Sequence, residues 1–255
     1  MKQTILSYYE EYKTYMDLNN DVLPQINPIQ SDNNIINDFA HINSDEISDK
    51  NINLYYNSKI VNYSEHFQKT KFFHEFTHVL DASQLLNKYD EENINAILST
   101  YSEYHASQIE LAYNIGFRNI HSFHKINLDK TYVEDEFGKT KIKNDYLKPL
   151  ADATIIIDKD SSVYYNLSAE EYYKKYKAFE TNTMYYLGKQ NFCSKFSLKP
   201  VPSITKSSYG IFYPYVKNIE ILIKNKNIDN LLIAKKELSA AFLKIYPNSE
   251  LKILI

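Results

Sequence analysis

Four glycines and seven prolines in 255 residues leave this chain little to turn with. Both residues punctuate turns, and a fold of many short strands needs a steady supply of them. The scarcity therefore favours long helices over a turn-rich sheet. Apolar residues make up 44% and charged residues 24%, which is the balance of a folded globular chain. The length supports one large domain or two modest lobes with a real core. The expected fold class is α+β, dominantly helical. The first lobe is expected over 1–128 and a mostly helical second lobe over 129–255, or the two as one continuous domain.

Helical spacing of Ile5, Leu6, Tyr9, Tyr12 and Met16 predicts an amphipathic helix over 3–18. Pro24 and Pro28 then end that region, and 31–50 reads as polar loop or a short helix. The stretch "NLYYNSKIVNY" (53–63) is aromatic and β-branched and is interrupted by Asn57-Ser58, which predicts two short strands at 53–56 and 59–63. Asn62 or Ser64 can cap a helix over 65–87. A second helix is expected over 91–115, stopped by Gly116. Residues 117–146 are polar and irregular, with a hairpin about Gly138. Helical stretches follow at 145–158, at 169–190 behind the capping box Ser168-x-x-Glu171, and at 230–245. Pro200, Pro202 and Pro214 mark a loop between the last two.

The chemistry lies in "TKFFHEFTHVLDASQ" (70–84). On a helix, residues four apart share one face, so His74 and His78 aim two imidazoles at one point. Glu75 is turned by about 100° from His74 at ~3.6 residues per turn. That puts its carboxylate beside the metal position and not on it, where a general base belongs. Phe72, Phe73, Phe76 and Leu80 lie largely on the other side, so the helix can bury one face and open the other to a cleft. Zinc suits such a pair of nitrogens, at about 2.0–2.1 Å. Asp81 lies on the histidine face, able to accept from a ligand ring.

A third ligand must come from elsewhere. No glycine turn with a further histidine follows in "HVLDASQLLNK". The next helix carries a strip of small residues, Ala96, Ser99, Thr100, Ala106 and Ser107, with Glu103 in its middle. Small residues let helices approach closely, so a carboxylate arm can reach the metal. That fit selects Glu103 over Glu110, two turns further on, and over His105, which points to another side and reads as a hydrogen-bonded, partly buried histidine. The donor for an oxyanion is sought among His121, His124 and Tyr132, in the polar segment after this helix. The spacing in "HSFHK" also admits a second metal pair, although surface histidines explain it as well.

HEFTH at 74–78 with Glu103-x-x-Ala106 on the next helix resembles the gluzincin class of zinc metallopeptidases, and the preceding short hairpin is similar to the intracellular ImmA/IrrE-type peptidases. The resemblance covers 53–107. It implies a zincin-like core with a small sheet beside the HExxH helix, His74, His78 and Glu103 as Zn2+ ligands, and Glu75 as general base. Many gluzincins carry Asp four positions after the glutamate ligand. Here Ser107 stands there, so either Asp81 takes over that task or the site is weaker.

Net charge −3 and a pI near 6.2 offer no basic footprint for nucleic acid and no polybasic membrane tag. No apolar run is long enough to cross a bilayer, no secretory leader is visible, and the single Cys193 reads as a core residue. The expected address is the cytoplasm, with a peptide or protein substrate as partner. The expected function is a zinc-dependent metallo-endopeptidase. The other reading is a non-catalytic zincin-fold binding or regulatory protein of a bacterial mobile element. Lys59–Tyr63 is expected as an edge strand that pairs with substrate.

Overall fold

The computed structural model describes residues 1–18, 23–31, 39–42, 51–86, 88–142, 168–199, 201 and 209–245. They form a mostly helical α+β fold. In chain order the elements are α1 (Lys2–Tyr15), β1 (Gln25–Gln30), β2 (Ala40–Ile42), β3 (Asn51–Tyr56), α2 (Glu65–Leu85), α3 (Glu91–Ile97), a π-helical turn (Leu98–Ser102), α4 (Glu103–Asn114), β4 (Tyr132–Asp135), β5 (Gly138–Lys141), α5 (Ala169–Phe196), α6 (Tyr213–Lys224) and α7 (Ile228–Ile245). Among the described residues, no helix is long and apolar enough to cross a membrane.

The sheet has the order β1-β3-β2, with β1 parallel and β2 antiparallel to β3. Pro28, expected to end a region, sits inside β1. A proline has no N–H for a ladder and is tolerated on a strand at the sheet edge, which is where β1 lies. The second expected strand, 59–63, does not form. Residues Ser58–Asn62 make a 3₁₀ turn instead, nucleated by the Asn57 side chain, which accepts from the Lys59 N–H at 2.9 Å. Burial of Ile60 fixes that turn in the core and leaves Val61 exposed. An asparagine that captures the backbone two residues on outweighs the strand propensity of Ile60 and Val61. The edge strand predicted over Lys59–Tyr63 is therefore replaced by β2, in a region read as loop or short helix.

Aromatic rings weld α1 to α2. Tyr12 meets Phe73 at 5.3 Å, Tyr9 meets Phe76 at 4.9 Å, and Tyr12 Oη donates to Thr77 Oγ1 at 3.1 Å. Ser64 caps α2 by accepting from the Phe67 N–H. On the other side of α2, Phe39 stands edge-on to Phe67 at 5.2 Å and sets β2 beside the helix. Gly116 closes the α4 end with φ +94°, and Ser168 and Glu171 form the expected box at the start of α5.

Helix α5 lies against α4. A Cβ at Gly188 would collide with Ser107 Oγ and the Tyr104 carbonyl, so the small-residue strip receives this glycine. Helix α6 occupies a region read as loop. Its Pro214 is at the first turn, a position that proline favours because the missing N–H has no partner there anyway. The expected helix at 145–158 lies outside the described residues.

Candidate metal centre

Helix α2 presents His74 and His78 on one face, both buried. The π-helical turn then delivers the rest. A π turn adds one residue to the helical repeat, and here it precedes Glu103 directly. It brings Ser102 and Glu103, neighbours in sequence, to different parts of one site. Nε2 of His74 lies 3.1 Å from Nε2 of His78, 3.4 Å from Glu103 Oε2, and His78 Nε2 lies 3.6 Å from Glu103 Oε1. A tetrahedron with metal bonds of 2.0–2.2 Å has edges of about 3.3–3.6 Å; the two imidazole–carboxylate separations fall in that range and the 3.1 Å between the imidazoles falls just below it. Among the described residues, this is the one group of three such side chains close enough to hold a metal.

The outer nitrogens say more. His74 Nδ1 lies 3.1 Å from Glu110 Oε2, and His78 Nδ1 lies 2.8 Å from Ser102 Oγ. A carboxylate only accepts, so His74 Nδ1 carries a proton. Ser102 spends its own hydrogen on Asp81 Oδ2 at 2.7 Å, so it accepts from His78 Nδ1. The two Nε2 atoms then face one another 3.1 Å apart, a contact that needs a proton or a metal ion between them. In the metal-free protein a proton fills that need. Burial lowers His74, but Glu103 and Glu110 outweigh it and raise it to about 10. Burial, aided by the charge on His74, drops His78 to about 4 despite Glu103. For Glu103, burial resists ionisation, and the two imidazoles outweigh it and hold the carboxyl below its usual range.

Each expected site residue can now be placed. Glu75 is half-buried and lines the same cleft as His74, His78 and Glu103. Asp81 reaches His78 through Ser102 and also meets His105 Nδ1 at 3.0 Å, so His105 is partly buried and bonded, turned away from the metal point. Ser107 does not touch His74. It donates to the Tyr104 carbonyl at 2.9 Å and packs under Gly188. Glu110 takes the place expected of Asp81 or Ser107 at the first histidine. The oxyanion candidates lie elsewhere: His121 bonds Asp17 at 3.0 Å, His124 Nδ1 meets the Ser122 carbonyl, and neither these nor Tyr132 lines the cleft.

The cleft has a volume of about 800 Å³ and is walled by β2, α2, the α3–α4 region, the β4–β5 tip and α5. Residues from both halves of the chain build it. Two donors missed in the sequence stand beside the triad. Lys71 Nζ reaches Glu110 Oε1 at 2.9 Å, and Tyr185 Oη reaches both Glu110 oxygens at 2.6 and 2.5 Å with its ring 5.7 Å from that of His74. Lys71 is readable as one turn before His74 on the same face. Tyr185 carries no signal among 24 tyrosines. Comparison with family models, curated proteins and solved structures finds no match for this chain.

Proposed function

We propose that the chain is a cytoplasmic zinc-dependent metallo-endopeptidase with a zincin-like core, acting on a protein or peptide. The observation that carries this reading is the convergence of both imidazole Nε2 atoms and the Glu103 carboxylate on one point, with Glu75 facing the same cleft. A structural zinc site closes with a fourth side chain, whereas a catalytic one keeps an open position and a base beside it. His74, His78 and Glu103 would hold the ion, and bound zinc supplies Lewis acidity that polarises a carbonyl and makes a water acidic near neutral pH. Glu75 takes the proton from the attacking water and passes it to the leaving nitrogen. Lys71 and Tyr185 line the same cleft with hydrogens committed to Glu110, the carboxylate that holds the His74 ring.

The test is metal content. Zinc should bind one per chain, and His74→Ala, His78→Ala or Glu103→Ala should each strip it. Uptake near neutral pH should release about one proton, because His74, raised to about 10, is protonated in the metal-free protein and must give up that proton to ligate. Calorimetry in buffers of different ionisation enthalpy reads the proton count. A chain that takes up no zinc, or a Glu103→Ala variant that holds it normally, overturns the ligand set.

The substrate is held by β2. This strand lines the cleft, and among the described residues it has a neighbour on one side only. The Asn57 N–H donates to the Phe39 carbonyl at 2.9 Å, so Phe39 faces β3. Backbone groups alternate along a strand, which leaves those of Ala40 and Ile42 turned outward. An extended peptide can pair there. Methylating successive amide nitrogens of a cleaved peptide should lower kcat/KM about 2- to 10-fold at every second position, one hydrogen bond each. A flat response along the peptide would show that no strand is added.

A further inference from the structure

The tip of the β4–β5 hairpin has no part in the chemistry above, yet Asp135 and Glu136 line the cleft. The hairpin is clamped to the helix that carries the histidines. Glu134 accepts from Ser64, the cap of α2, and its backbone is bracketed by the Asn114 side chain, with the Glu134 N–H donating at 2.7 Å and the Glu134 carbonyl accepting at 2.8 Å. Its tip is a built turn. Asp135 accepts from the Phe137 N–H at 2.8 Å and from Thr140 Oγ1 at 3.1 Å, and Gly138 takes φ +119°. The hairpin is therefore held against the cleft by side chains from two helices.

What the tip offers is a carboxylate and a bare ring. Glu136 is exposed and makes no hydrogen bond or ion pair among the described residues. Phe137 beside it is 91% exposed, the most exposed of the large apolar side chains among the described residues. A phenylalanine left almost wholly in water gains by being covered. The other charges of the cleft are already matched. Lys71 is held by Glu110, Lys177 is held by Glu180 at 3.2 Å, and Asp135 is spent on its turn. Glu103 is a metal ligand and Glu75 the base. Lys139 and Lys141 on β5 do not line the cleft. Among the described residues that line the cleft, Glu136 is thus the charge left for a ligand, and it calls for a cation.

We infer that the β4–β5 tip is a specificity element that receives a Lys or Arg side chain of the bound peptide on Glu136, with the apolar stem of that side chain against Phe137. This rests on the peptidase reading of the metal centre. Long cationic side chains suit such a pair, because their methylene stems cover apolar surface while the head meets the carboxylate. The position along the peptide follows from α2. The hairpin is anchored at Ser64, and His74 lies ten residues on, about 15 Å along a helix axis. An extended peptide covers that in about four to five residues. The basic residue is therefore read some way from the scissile bond and adds binding without entering the chemistry.

The experiment uses the zinc-loaded protein and two peptide mixtures of equal length, random except for a fixed position holding Lys in one and Glu in the other, with the fixed position moved along the peptide. The Lys mixture should be cleaved with higher kcat/KM when that position is about four to five residues from the cut. Glu136→Gln should reduce the advantage about 2- to 5-fold, the scale of an exposed ion pair, and salt should erode it in the same way. Glu136→Lys should reverse the preference toward Glu, and Phe137→Ser should weaken the Lys mixture more than the Glu mixture. Binding of the same mixtures, labelled with fluorescein, to the zinc-loaded Glu75→Gln variant gives a readout that needs no turnover. Normal zinc and normal cleavage with no Lys preference, or with a preference that survives Glu136→Lys, overturns this inference and leaves the peptidase reading intact. Lack of zinc overturns the peptidase reading instead, and equal binding of the two mixtures overturns the inference whether or not cleavage is seen.

Discussion

Glu75→Gln is expected to keep its zinc and to lose kcat/KM by about 10²–10⁴-fold. Glutamine has the size and much of the hydrogen-bonding capacity of glutamate, so the helix and the cleft stay as they are. What it lacks is the ability to take a proton. The proposed metal position is set by His74, His78 and Glu103, whose ligand atoms lie within 4.8 Å of one another, and Glu75 is not among them. Loss of rate with metal retained therefore isolates the proton transfer from the Lewis-acid effect. The measurement is cleavage of a peptide already shown to be a substrate, with zinc content determined on the same samples. A variant that holds zinc and cleaves at the wild-type rate would place the base elsewhere. A wild-type chain that holds zinc, binds peptide and cleaves nothing fits the non-catalytic regulatory reading.

The parts of this site readable from sequence are those fixed by short-range geometry. His74, Glu75 and His78 need only a helix, and the capping residue Ser64 and the apolar rings at 72, 73 and 76 announce one. Glu103 was reachable because the small residues around it signal close helix contact. That contact turns out to be shared with α5 through Gly188, about which a local pattern says nothing. The rest depends on residues brought together from far apart. Ser102 meets His78 because of a π turn that spacing at ~3.6 residues per turn does not foresee. Glu110 sits on the same strip as Glu103, but its role at His74 is set by Lys71, Lys189 and Tyr185 converging on it from two other elements. The strand at 59–63 failed for a local reason, the Asn57 cap. The β2 strand escaped notice because three residues, Ala40–Ile42, are too few to show alternation.

Glu110 is where the second large effect falls. Its carboxylate is buried and is shared by Lys71 at 2.9 Å, Lys189 at 3.3 Å, Tyr185 and His74 Nδ1. Burial alone would raise its carboxyl, but Lys189 and Lys71, joined by His74, outweigh it and hold the group well below the usual range. Burial pushes the Lys189 amine down to about 7, with Glu110 opposing that shift. Glu110→Ala strands a buried lysine and frees the His74 ring. Breaking a buried pair from one side costs about 3–5 kcal/mol, and at about 2–4 °C per kcal/mol for a chain of this size the melting temperature should fall by roughly 6–20 °C. Zinc affinity should drop about 10- to 100-fold, as when a ligand loses its orienting partner, without the outright loss expected of Glu103→Ala. The pH dependence follows from the sign of the shift. A carboxyl whose folded value is depressed contributes stability that is complete above its ordinary range near 4.5 and is lost as pH falls toward the lower folded value. Wild type should therefore lose stability on acidification below about pH 4.5 more steeply than Glu110→Ala. Adding Lys189→Met to Glu110→Ala removes the stranded amine and should recover part of the melting temperature, since apolar replacement of both partners of a buried pair is often neutral. Thermal unfolding of the single and double variants, with metal analysis, reads all of this. Should Glu110→Ala strip zinc as fully as Glu103→Ala while keeping its fold, Glu110 is a ligand and not the residue that orients one.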